Sequence, residues 1–156
     1  MNKVRQFSFT SIAFTSLIVL AGCTSKAPIL GVENGQLTPC PDKPNCVNSF
    51  SQGEAHYIEP IIIADTKVAV KNDILKVVNG FENSKVTVSE SSYVRAEFTS
   101  KIFGFVDDVE FYFPETMSSD TTVHVRSASR LGYSDFNVNR ERVEKIRLKF
   151  ETLKSY

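Results

Sequence analysis

The chain has no tryptophan and only two histidines, two methionines and three cysteines among its 156 residues. Each shortage narrows the field. Two histidines make a poor ligand supply for zinc, which usually takes four His, Cys or carboxylate ligands. There is no Gly-x-Ser-x-Gly elbow to expose a nucleophilic serine, and no acidic run with EF-hand spacing for calcium. Charge of one sign is not in excess either, with 18 basic and 18 acidic side chains. Nucleic-acid binding calls for a clearly basic surface, so that class is excluded. No internal repeat or low-complexity tract appears. The uncharged stretch 7–20 falls short of the roughly 20 apolar residues that span a bilayer.

What is present suits one packed domain. The composition is 42% hydrophobic and 23% charged, which is ordinary for a globular chain. Twelve Phe and five Tyr point to a β-rich core built on phenylalanine.

The first residues form an address. Lys3 and Arg5 precede the uncharged, mostly apolar stretch 7–20. This is the charged and apolar pattern of a secretory signal; a retained membrane anchor is the alternative. The stretch ends in Leu20-Ala21-Gly22-Cys23, which looks like a lipobox. Small residues before the cysteine give a lipoprotein signal peptidase access to the Gly22–Cys23 bond. The thiol takes a diacylglyceryl group, and the new amino group is then usually acylated. Stable anchoring needs at least two chains, and a lipidated Cys23 has them. The expected division is a signal peptide over 1–22, a lipidated N-terminus and tether over 23–37, and one domain over 38–156. Without Lys3 and Arg5 the mature chain keeps 16 basic against 18 acidic side chains. Thr24 stands where aspartate would favour inner-membrane retention in a Gram-negative cell. That points to the outer membrane, facing the periplasm. A fourteen-residue tether reaches at most about 50 Å.

Cys40 and Cys46 flank Pro41-Asp42-Lys43-Pro44-Asn45. In an oxidising compartment a disulfide is the leading reading. A zinc site and a redox pair are the alternatives, although redox pairs usually have Cys-x-x-Cys spacing.

Periodicity outlines the domain. Residues 56–63, interrupted by Pro60, read as an edge strand or an extended lead-in. Asp65 can cap a helix whose Val70, Ile74, Val77 and Val78 share one face and whose end is Gly80. Strands follow over 85–91, 93–99, 107–113 and 122–129, each alternating apolar and polar residues. A helix from about 140 to 153 has Asn139 as its N-cap, a Val138–Val143 staple, and a stripe of Val143, Ile146, Phe150 and Leu153. The expected fold is α+β: an antiparallel four- to five-stranded sheet with two helices packed on one face.

The other sheet face carries the chemistry. Arg95, Glu97, Asp108, Glu110, His124 and Arg126 should point outward there. Acids on the middle strand then lie between arginines, as cross-strand ion pairs. Alternatively the face closes into a cleft with the loop after the last strand. In that case Arg126, Arg130, Arg140 and Arg142 suit a carboxylate or phosphate. Asp107, Asp108 and Glu110 could hold a hard cation, but Asp107 and Asp108 point to opposite sides of a regular strand. Asp108 and Glu110 stand about 7 Å apart on one side, a spacing that carboxylate acid–base work can use.

Three stretches carry a resemblance. They are Pro39-Cys40-Pro41-x-x-Pro44-Asn45-Cys46-Val47, Gly104-Phe105-Val106-Asp107-Asp108-Val109-Glu110-Phe111, and Val125-Arg126-Ser127-Ala128-Ser129-Arg130-x-Gly132-x-Ser134-Asp135 with Asn139-Arg140-x-Arg142. Together they resemble the bacterial domain-of-unknown-function 1499 family from about Leu37 to Leu153. Asn137 departs from it, at a position where glycine or another small residue is expected. The resemblance implies an envelope protein, often lipidated or membrane-linked, and brings no established activity, substrate or cofactor. The expected ligand site comprises Asp107, Asp108, Glu110, Arg126, Ser129, Arg130, Ser134, Asp135, Asn139 and Arg140. Expected partners are the membrane, through acylated Cys23, and an envelope protein or small anionic ligand. No cofactor or metal is expected. The role expected is a non-enzymatic binding or structural module, with a hydrolase of envelope material as the rival.

Overall fold

A computed structural model describes residues 27–116 and 119–155. The signal segment 1–22 and Cys23 lie outside the described residues. The elements run β1 (Val32–Glu33), β2 (Gln36–Leu37), β3 (Cys46–Asn48), β4 (Ile61–Ile63), α1 (Lys67–Asn79), β5 (Ser84–Ser89), β6 (Tyr93–Thr99), β7 (Val106–Tyr112), β8 (Thr121–Ser129) and α2 (Val138–Lys154). No helix among them is long and apolar enough to cross a membrane.

The fold is α+β, with a six-stranded antiparallel sheet in the order β3-β8-β7-β6-β5. The short β4 pairs with the first part of β8, so β8 carries both β3 and β4 on one edge. The sheet thus has more strands than the four or five expected. The surplus comes from β3, which periodicity missed because three residues after a proline-rich loop show no alternation.

Side chains alternate across this sheet as strand geometry requires. Val94, Ala96, Phe98, Val109, Phe111, Val123 and Val125 join one buried cluster with Val70, Ile74, Val78, Val143, Ile146 and Phe150. Both helices therefore bury their stripes on the same sheet face. Truncating a Phe in such a core costs about 3–5 kcal/mol.

Several local expectations shift. Thr66, not Asp65, caps α1, its hydroxyl accepting from the Ala69 N–H at 3.3 Å. Asp65 instead accepts from the Thr66 N–H. Leu153 stays 41% exposed, because α2 reaches Lys154 and its last turn runs past the core. The alternation of 85–91 would put Val86 and Val88 on the apolar face, but a register shift between them sets Val88 opposite Arg95, and only Val86 packs against the core.

The tether expected over 23–37 is shorter than that. Val32–Glu33 pairs with Gln36–Leu37 as a small hairpin, with Asn34 and Gly35 both at positive φ. Leu37 is buried, and its strand packs on β7 and β8. The Pro28 carbonyl accepts from Arg95 Nη1 at 3.2 Å. A segment that looked like a spacer thus covers part of the charged sheet face.

Candidate functional site

The charged residues sort by register onto two sides of one sheet. Asp107 stands opposite Ser129 and Asp108 opposite Ala128, so the two adjacent aspartates face apart. Asp108, Glu110, Arg95, Glu97, Arg126 and Arg130 share the face away from the helices. Asp107, Ser127 and Ser129 share the helix side, at its polar end.

On the outer face the carboxylates are saturated. Asp108 accepts from Arg95 Nε at 3.0 Å and Nη2 at 2.7 Å, and from Arg130 Nε at 2.8 Å and Nη2 at 2.7 Å. Arg130 also pairs with Glu97. Glu110 accepts from the Tyr93 hydroxyl at 2.8 Å and from Arg126 Nη1 at 2.9 Å. Sequence alternation alone made this face look solvated. It is covered instead: Asp108 is 1% exposed, Glu110 0% and Arg126 5%. The outward, water-facing placement expected for these three is corrected by burial. Alternation identifies which side of a sheet a residue takes, but not whether another segment lies over it.

Burial and pairing push the two acids in opposite directions. Burial raises the Asp108 pKa, but the hydrogen bonds from Arg130 and Arg95 and their charges outweigh it and hold the carboxyl below its usual range. Burial raises the Glu110 pKa too, and Arg126 and Tyr93 pull it back only in part. Its one guanidinium contrasts with the two on Asp108. Burial beside Glu110 likewise raises the Tyr93 phenol. Hydrogen bonding to Asp108 raises Arg130.

The helix side holds a second network, centred on Asn139. Asn139 does not cap α2 as expected; it lies within the helix and is fully buried. Asn137 is the residue before the helix, at φ 68°. That left-handed conformation accounts for the glycine expected there, and asparagine tolerates it best after glycine. Asp135 does the capping, with one oxygen on the Asn137 N–H at 3.0 Å and the other on the Asn139 N–H at 2.8 Å. The Asn139 amide donates to the Asn45 carbonyl at 3.0 Å, Ser129 Oγ at 3.0 Å and Asp135 at 2.7 Å. Its oxygen accepts from Ser127 and Arg142, and Arg142 pairs with Asp107. Val138 is 45% exposed at the start of α2, so it forms no staple with the buried Val143.

The remaining expected residues are scattered. Arg140 reaches the backbone carbonyls of Glu54 and Ala55 at 3.4 and 3.3 Å, holding a loop. Ser134 is exposed, and its hydroxyl accepts from the Phe136 N–H at 3.4 Å. The predicted ligand set therefore divides between two back-to-back networks and a loop, and does not converge on one cleft. A recess of about 40 Å³ touches Asp135, Asn137 and Arg140, far below the 300 Å³ or more of a small-molecule site. Larger hollows of about 460 and 320 Å³ lie elsewhere, beside Asp65, Phe150 and Lys154 and between Val77 and Leu153. Among the described residues, no three of His, Cys, Asp and Glu gather as a metal-ligand set.

Three participants escaped sequence reasoning. Tyr93 shares the outer face with Arg95, and its hydroxyl binds Glu110. Asn45 ties the disulfide loop to the Gly132 carbonyl at 3.1 Å. Ser49 Oγ lies 3.1 Å from His124 Nδ1 and accepts from the Val125 N–H at 3.0 Å. His124 stacks on Phe50 at 3.9 Å, and burial lowers its pKa. This Ser–His contact joins β8 to the segment after β3. Cys40 and Cys46 form a disulfide.

The family described as Protein of unknown function (DUF1499) matches residues 36–150. Among curated proteins, none matches the chain. The match begins inside the small hairpin and ends in the buried part of α2, so it spans both polar networks and the disulfide; this chain belongs to the DUF1499 family.

Proposed function

We propose that this protein is a lipid-anchored module of the bacterial envelope, without catalytic activity, whose charged residues hold the domain together. One observation carries the reading. The groups that would bind an anion or move a proton are buried and engaged with one another, Asp108 with two arginines and Glu110 with Arg126 and Tyr93. A hydrolase of envelope material would need a carboxylate free to meet substrate, and neither acid is free. The Cys40–Cys46 disulfide suits an oxidising compartment, in keeping with export by the signal segment. The lipobox at Cys23 supplies the anchor, and Thr24 favours the outer membrane, facing the periplasm.

Cell fractionation of a Cys23→Ser variant tests this. The wild-type protein stays with the membranes, whereas the variant is not processed by the lipoprotein route and leaves no acylated form there. A processed variant that remains membrane-bound overturns the anchor. Turnover of a cell-wall or lipid substrate that disappears in Glu110→Gln overturns the non-enzymatic reading.

A further inference from the structure

Two loops leave the same end of the sheet and expose large apolar side chains. The Arg130 N–H donates to the Val106 carbonyl at 3.1 Å, so the end of β8 lies beside the start of β7. The loop before Val106 exposes Ile102 by 85%, Phe103 by 73% and Phe105 by 51%. The loop after Arg130 exposes Leu131, Tyr133 and Phe136. Residues 102–105 and 131–134 carry no charge. The hollows of about 260–460 Å³ are lined by other residues. Rings and aliphatic groups on the ends of such loops suit the headgroup level of a bilayer.

The reach of the chain brings such a bilayer to them. Pro28 is bonded to Arg95, and Cys23 precedes it by five residues, so the lipid-bearing atom lies within about 18 Å of that point. Along β6, Arg95 precedes Ser100 by five residues, about 17 Å in a strand. Ser100 and Phe105 are joined by two hydrogen bonds, of 2.8 and 3.1 Å. The anchor and the apolar loops are thus within reach of one membrane plane.

We infer that the loops around Phe103 and Tyr133 insert into the phospholipid surface that holds Cys23, and so set the orientation of the domain on its membrane. This rests on the lipid anchor proposed above. The anchor alone would hold the domain to the bilayer at one point. The loops add a second contact, which turns that end of the sheet toward the lipid.

The absence of tryptophan makes a clean test. The acylated Phe103→Trp protein is reconstituted in phosphatidylethanolamine–phosphatidylglycerol vesicles, with Ile62→Trp, at the exposed middle residue of β4, as the comparison. Flotation reports the anchor, and tryptophan emission reports the loop. The expected result is that both proteins float and that the Phe103→Trp emission is blue-shifted. That emission should fall by about half with lipids brominated near the headgroup, the depth of about 5–10 Å at which interfacial side chains sit. The Ile62→Trp protein should keep water-like emission. Floating Phe103→Trp protein with water-like, unquenched emission overturns the inference and leaves the anchor standing. A blue shift without lipid quenching, growing with protein concentration, means that a second copy covers the loops, and overturns it as well. Membrane-extracted protein that carries no acyl group on Cys23 removes the anchor, and this inference with it.

Discussion

Asp108→Asn probes the charged face where it is most densely bonded. The carboxylate takes four hydrogen bonds from Arg95 and Arg130, and those side chains are 12% and 7% exposed. Asparagine keeps the shape, removes the charge and turns an N–H₂ toward guanidinium donors. Removing one partner of a buried ion pair costs about 3–5 kcal/mol. Arg130 keeps Glu97 and Arg95 keeps the Pro28 carbonyl, so the lower end applies, about 3 kcal/mol. For a domain of this size that is a fall in Tm of about 10–15 °C. Thermal unfolding followed by circular dichroism at pH 7 reads it directly. Glu82→Gln breaks the exposed Lys101 pair and should leave Tm unchanged. The folded-state pKa of Asp108 is lowered. Its stabilisation is therefore fully present above the unfolded value of about 3.9 and lost as pH falls through the folded value. The gap between wild type and variant should persist from pH 7 to pH 5 and close only in stronger acid. An unchanged Tm at pH 7 would refute the reasoning, and would return Asp108 to the list of ligand or catalytic groups.

Glu110→Gln should show the opposite pH trend. The folded pKa of Glu110 is raised, so its contribution is complete below about pH 4.3 and is lost as pH rises through the folded value. Urea midpoints at several pH values should show wild type losing ground to the variant as pH rises from about 4. Asp135→Ala removes the cap of α2 and one of three acceptors on the buried Asn139 amide; urea unfolding should register a loss of about 1–2 kcal/mol. Reducing the Cys40–Cys46 bridge opens a loop of six-residue separation; it should cost about 2.4 kcal/mol by the chain-entropy relation, seen as a lower melting point in reductant without loss of the sheet signal.

Much of the fold was legible because its signals are local. The stripe Val70, Ile74, Val77 and Val78 and the alternation in 93–99 are properties of consecutive residues, and both elements stand where the pattern put them. What failed was long-range. Nothing near Asp108 announces that residues 28–37 fold back over its face. Nothing near Asn139 reveals that Asp135 will take over its capping, which frees its amide for Asn45 and Ser129. The motif residues were found, and their opposed sides at Asp107 and Asp108 follow from strand geometry. Strand alternation predicts that they bind one another as a surface ion-pair lattice. The structure buries that lattice, with Asp108, Glu110 and Arg126 at most 5% exposed.

The intact mass of the protein extracted from cell membranes tests the lipid anchor most directly. The account predicts a chain beginning at Cys23, without residues 1–22 and carrying at least a diacylglyceryl group on the sulfur. A membrane protein whose mass retains Met1, or whose Cys23 bears no acyl group, would contradict it.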